Sequence, residues 1–279
     1  MKLFRGFERG RIFGIASTRS IAAISRRPIL PLSARMQPIE SAAFSAWPST
    51  LSTDILGWRL RLDRGYTLRA NSLNATEHSQ MLSDTDLYAI EAQFRHRGLA
   101  PVVRLTSCSA VPEADAWLAL RGYGYSGLSR VMTRALSDVD GEDADERAWA
   151  GSAAPWLDAF RTLSHKSDDD HLAHLGILQR IEHPVAWAVQ APTQVPVCCG
   201  IGVLVDRHLG LFDIATHAGH QRQGLAQQLC RSILTWGRSR DAHTAFLQVV
   251  ATNTNAIRVY ERLGFKIAYS YWYRVRAMP

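Results

Sequence analysis

The chain has 279 residues, enough for two domains of ordinary size, and 47% of them are hydrophobic and 20% charged, the balance of a globular protein with a real core. No apolar run is long enough to cross a bilayer. The formal charge of +7 would suit a nucleic-acid or membrane partner, but its distribution removes most of that hint. Residues 1–35 carry eight basic side chains against the single acid Glu8, which accounts for the whole excess and leaves the rest of the chain neutral. Cys108, Cys198, Cys199 and Cys230 follow no metal-ligand spacing and read as reduced, buried thiols of a cytoplasmic protein. Adjacent Cys198 and Cys199 should point to opposite faces of a strand.

In chain order, residues 1–36 are Arg-rich and contain Pro28 and Pro31. A transit-like or membrane-surface segment would have this composition. So would a disordered extension upstream of Met36, and that reading fits better because no later core pattern needs these residues. Pro38 to Trp47 predicts a short helix, Gly57 to Leu62 a half-exposed strand, and Tyr66 to Leu73 a returning strand. Ser83 with Asp86 opens a helix carrying Leu87, Ile90 and Phe94, which Gly98 ends. A strand at Ala100 to Leu105, a helix at Glu113 to Leu120 with Gly122 as its cap, and a strand at Gly127 to Thr133 complete a first domain, 37–136. The acidic stretch Ser137 to Glu146 marks a linker over 137–150.

A second domain, 151–279, begins with helices at Ala153 to Leu163 and Leu172 to Ile181, separated by a polar turn at Lys166 to Asp170. Strands at Pro184 to Gln190, Val195 to Asp206 and Leu211 to Thr216 predict an antiparallel meander. A polar loop then leads to a helix opening at Gly224. A strand at Ala245 to Val250, a helix at Asn255 to Leu263 closed by Gly264, and a strand at Ala268 to Val275 follow. The two domains end alike: Gly122 aligns with Gly264, Leu105 with Leu247 and Val131 with Tyr273, all at one offset, with the same order of elements. This predicts two copies of one fold.

The stretch Gln221-Arg222-Gln223-Gly224-Leu225-Ala226 leaves backbone uncovered where a helix begins. Unpaired N–H groups and the positive end of the helix dipole make such a start an anion site. With its downstream companion, Asn255 to Phe265 (NAIRVYERLGF), it resembles the acyl-CoA site of the GCN5-related N-acetyltransferase (GNAT) family, well over the second domain and more weakly over the first. The resemblance implies two tandem α/β (α+β) GNAT folds, each a mixed, mostly antiparallel sheet flanked by helices. It also implies a direct acetyl transfer from acetyl-CoA to a primary amine on a small molecule, peptide or protein. The first copy should be degenerate, because its loop Asn71 to Leu82 has no glycine where Gly224 stands and bulky side chains would crowd a diphosphate.

By the same resemblance, the amides of Arg222, Gln223, Gly224, Leu225 and Ala226 hold the diphosphate, with Gln221 at the first position of the motif. A backbone N–H near Ile214 polarises the thioester carbonyl, and the edge of Ile214, Ala215 and Thr216 pairs with pantetheine between two splayed strands. Tyr260 is the general acid for the leaving thiolate, with core packing as the alternative. Asp213, His217 or a water relay could serve as the base. Asn255 caps the last helix and touches the cofactor. The cluster Asp168-Asp169-Asp170-His171 with His174 invites a metal reading, but acids complementing a helix start account for it and no metal is expected. The segment lies where the family builds its acceptor side. No nucleic-acid or membrane partner is expected, and the oligomeric state stays open, a homodimer included. The rival from another class is a non-catalytic acyl-CoA-binding regulator.

Overall fold

The computed structural model describes residues 32–137, 149–164 and 167–277, leaving out the side chains of residues 32–35. The basic stretch up to residue 31 and nearly all of the acidic linker lie outside the described residues. The first half comprises α1 (Leu32–Ala46), β1 (Leu51–Ile55), β2 (Trp58–Leu62), β3 (Ser72–Asn74), α2 (Asp84–Arg95), β4 (Val102–Thr106), α3 (Ala114–Ala119) and β5 (Gly124–Ala135). The second comprises α4 (Ala153–Leu163), α5 (Asp168–Gln179), β6 (Val185–Gln190), β7 (Cys198–Val205), β8 (His208–Thr216), α6 (Leu225–Arg238), β9 (Thr244–Val250), α7 (Thr254–Arg262) and β10 (Lys266–Val275).

All ten strands join one sheet in the order β1-β2-β3-β4-β10-β5-β9-β8-β7-β6. Only β3–β4 and β8–β9 are parallel; the meander β6-β7-β8 is antiparallel as its pattern predicts. The repeat is visible in this topology. Each half runs to a parallel pair, and Gly122 and Gly264 take the same left-handed turn after their helices (φ +82° and +80°). The closing strands are exchanged, however. β10 pairs with β4, β5 pairs with β9, and the two pair with each other. Each half's last strand therefore lies against the other half's parallel pair. The described residues accordingly pack as one compact unit.

Helices cover both faces. Leu229, Cys230, Ile233 and Leu234 of α6 and Tyr260 and Leu263 of α7 pack on one side with Cys198. Trp47 of α1, Trp156 of α4 and Ile177 of α5 pack on the other with Cys199 and Phe212. The adjacent cysteines do point to opposite faces; Cys198, Cys199 and Cys230 are free and buried, whereas Cys108 is half-exposed. Buried polar groups tie α1 to the sheet. Arg61 donates to the carbonyls of Arg69, Phe44 and Trp47, closing the C-terminal end of α1, and burial pulls its pKa down to about 9. Glu40 takes a two-pronged contact from Arg104 (2.6 and 2.9 Å) and a hydrogen bond from the Tyr269 hydroxyl.

Several expectations are corrected. α1 starts at Leu32, not at Pro38, so the proline sits inside the helix and Met36 belongs to the core. β1, with a pattern too exposed to show an apolar periodicity, was not expected. The segment read as one strand from Tyr66 is a 3₁₀ turn at Leu68–Ala70 followed by the short β3, because the Asn71 side chain bonds back to the Thr67 carbonyl and accepts from the Asp63 amide. Asp168, Asp169 and Asp170 are the first turn of α5 rather than a turn before it, since Ser167 and Asp170 form a capping box.

Candidate active site

β8 and β9 pair only from His208 to Leu211 against Thr244 to Leu247. Beyond that point they part, β8 remaining bonded to β7 and β9 to β5. The edge of β8 from Ile214 to Thr216 that would face β9 is thus open, as the resemblance implied. A bulge shapes it. Asp213 and Ile214 both oppose Gly200, and Asp213 takes a left-handed φ of 50°. Gly200 makes room for it: a Cβ there would lie 2.3 Å from Ile214 Cδ1, and that side chain would have to move.

Downstream, His217 ends the strand and its Nδ1 accepts the Gly219 amide at 3.1 Å, capping a short 3₁₀ turn at Ala218–His220. Gln221, Arg222, Gln223 and Gly224 are exposed, and Arg222 and Gly224 are both left-handed (φ 63° and 82°). This geometry turns successive amides outward. α6 then begins with no side-chain cap and no acid in its first turn, over Leu225 and Ala226. Its counterpart α2 differs in both respects. Ser83 and Asp86 form a capping box, and Asp84 and Asp86 place negative charge where a diphosphate would sit. The first half keeps a cleft of about 230 Å³ between α1, the loop after β3 and the end of β4, with Glu40, Asp54 and Glu77 among its lining residues.

Tyr260 lies on the α6–α7 face, 9% exposed, its ring edge-on to Phe265 at 6.1 Å. Burial first, then the neighbouring Cys230 thiol and the Asp213 carboxylate, push its phenol well above its ordinary pKa of 10. It therefore holds its proton at neutral pH. On the opposite face, the Asp213 carboxylate divides its oxygens: Oδ2 lies 3.0 Å from His174 Nε2, and Oδ1 lies 3.8 Å from Arg69 Nη2. His174 is fully buried in an aromatic box, stacked on Tyr66 at 4.6 Å and bounded by Phe160, Trp47 and Trp156 at 5.3 to 5.8 Å.

Asp213, Ile214, Ala215 and Thr216 line the open part of β8, the loop Gln221 to Ala226 follows it, and the buried phenol of Tyr260 lies on the face that α6 and α7 cover. His217 is solvent-facing and committed to its cap. Asn255 is exposed in the first turn of α7, and the cap assigned to it belongs to Asn253, whose Oδ1 accepts the Ala256 amide at 3.1 Å. His171 Nε2 contacts Ser164 Oγ at 3.2 Å, its Nδ1 is buried without a partner, and burial lowers its pKa. No group of three metal-binding side chains occurs among the described residues. Arg69 and Tyr66 were not foreseen, because only tertiary structure brings the first half against β8. His174 stood inside an acidic helix start that hid its role, although a histidine among apolar helix positions was a usable signal.

A split parallel pair, an uncapped helix start and a buried phenol are the features expected from the resemblance to GNAT acyltransferases. Residues 33–274 match the family model described as "Probable histone acetyltransferase Rv0428c C-terminal", and the chain belongs to that acetyltransferase family. An uncharacterized N-acetyltransferase of Bacillus subtilis (strain 168), YobR, is 24% identical over 247 residues, spanning 86% of this chain and 98% of its own length. Among solved structures, a GCN5-related N-acetyltransferase from Kribbella flavida superposes with a TM-score of 0.65 at 15% identity, covering 88% of this chain and 96% of its own. A tandem GNAT protein from the clavulanic acid biosynthesis pathway does so at 0.57 and 11%, covering 86% and 88%. The protein is thus a GNAT acyltransferase. No described helix is long and apolar enough to cross a membrane.

Proposed function

We propose that this enzyme moves an acetyl group from acetyl-CoA directly to a primary amine, in the cytoplasm, with residues 151–279 carrying the cofactor and residues 37–136 a second copy that has lost it. The observation that carries the reading is the open edge of β8 running into the uncapped start of α6. Pantetheine adds to that edge as an extra strand, and the diphosphate takes the amides from Arg222 to Ala226. The Ile214 region donates to the thioester carbonyl as negative charge gathers on its oxygen. Asp213 takes one proton from the acceptor ammonium, the amine nitrogen bonds to the thioester carbon, the C–S bond breaks, Tyr260 protonates the departing sulfur, and the second proton of the nitrogen, shed as the amide forms, restores the Tyr260 phenol. The capping box and two acids of α2 support the loss of cofactor binding in the first half. Free, unpaired cysteines suit a reducing compartment.

The test is release of CoA thiol from acetyl-CoA in the presence of a panel of primary amines, read with a thiol reagent. Release that depends on amine and enzyme, with acetylated amine found by mass, supports the reading. Tight binding of acetyl-CoA with no amine consumed sinks it.

A further inference from the structure

Two charged side chains meet loosely at the mouth of this site. Arg69 belongs to the 3₁₀ turn before β3, Asp213 to the bulge of β8, and they approach no closer than 3.8 Å. That exceeds the 2.7–2.9 Å of a charge-assisted hydrogen bond. Both are partly accessible, Arg69 to 22% and Asp213 to 14% of the side chain. Neither is free to drift. The Arg69 guanidinium carbon lies over the Trp47 ring at 4.6 Å and over Phe212 at 5.5 Å. Asp213 is placed by the bulge, and its other oxygen is buried 3.0 Å from His174 Nε2, without hydrogen-bond geometry. The result is a partly accessible cation and anion side by side, next to the open edge where the thioester would lie.

We infer that the acceptor is a small amino-acid-type zwitterion, whose ammonium sits against Asp213 Oδ1 and whose carboxylate sits against Arg69. One loose internal pair is then exchanged for two close ones, and the amine arrives at the residue that takes its proton. The two charges of an α-amino acid are separated by a single carbon, which matches the short gap between Arg69 and Asp213. A lysine side chain of a protein carries no carboxylate beside its ammonium and would leave Arg69 without a ligand. The inference rests on the amine-acetylation reading above and narrows it to a substrate class. It also gives the first half a part in the reaction: Arg69 is a specificity residue supplied from outside the cofactor-binding half.

The experiment compares each of a set of free α-amino acids with its primary amide and its decarboxylated amine, using the full chain and acetyl-CoA. The acid should exceed its amide in kcat/KM by about tenfold or more. Arg69→Met should collapse that ratio toward one, mostly through KM of the acceptor, and Arg69→Lys should retain part of it. A substitution that merely damages the fold lowers acid and amide together and leaves the ratio, so the ratio is the diagnostic quantity. Amides and simple amines used as well as the acids, or a ratio untouched in Arg69→Met, overturns the inference while leaving amine acetylation in place. Failure of every amine overturns both.

Discussion

At the scale of single residues, the proposed acid and base stand on opposite faces of one sheet. Tyr260 keeps its proton because burial disfavours the phenolate. Tyr260→Phe should therefore lower kcat by about 10²-fold or more, the usual range for a general acid, while KM for acetyl-CoA changes by no more than about twofold. Steady-state kinetics with acetyl-CoA varied would check this, and equal loss in both parameters would return Tyr260 to a packing role. Asp213→Asn should lower kcat comparably and leave thermal stability close to wild type, since Asn keeps the shape and tolerates a left-handed φ. Tyr260 and Asp213 could be singled out as candidates because each stands close along the chain to a local motif, Asp213 beside His217 and a water relay as a possible base. The partners of Asp213 were not. Arg69 and Tyr66 follow a strand with no motif of their own, and nothing local tells an arginine that will lie on Trp47 from one that will face water.

Elements carry the next layer of argument. α2 and α6 are equivalent helices with opposite starts, one neutralised by Ser83 and Asp86 and one left bare after Gly224. Placing an acid at the bare start, as in Ala226→Asp, should weaken acetyl-CoA binding by about tenfold or more through repulsion of the diphosphate. An acid in a first helical turn complements the dipole, so the melting temperature should hold; calorimetry of binding and of unfolding would separate the two effects. The latch between α1, β4 and β10 gives a pH signature. Burial tends to raise the Glu40 carboxyl, but the charge and hydrogen bonds of Arg104, with that of Tyr269, hold it below its ordinary value. A depressed carboxyl contributes stability that is complete above the unfolded value near 4.3 and lost as pH falls through the folded one. Glu40→Gln should cost about 3 kcal/mol at neutral pH and flatten the acid limb of the stability curve, measured by denaturant titration from pH 7 down. Helix starts with Ser-x-x-Asp boxes were readable in the chain at Ser83. The same box at Ser167 was taken for a turn, because its three consecutive acids masked the apolar spacing that follows.

For the molecule as a whole, the exchange of β5 and β10 is the governing fact. Element order announced the repeat, and with it the fold of each half. Which strand closes which sheet was out of reach, because nothing local in β5 or β10 specifies the edge it pairs with. Cutting the backbone within residues 138–148, by inserting a protease site, should leave two fragments that co-elute in gel filtration under native conditions. Fragments that separate would mean that the pairs β4–β10 and β5–β9 do not hold the halves together. The same exchange bears on how the chain comes off the ribosome. Nine strands of the sheet are translated before β10, and β10 belongs near its middle, between β4 and β5. The first half cannot close early and wait. Until residues 266–275 emerge, β4 and the β10-facing side of β5 are bare edges, the kind that recruit foreign strands. The nascent protein passes through an interval in which its sheet has a slot at the centre, and in that interval it is most open to foreign strands.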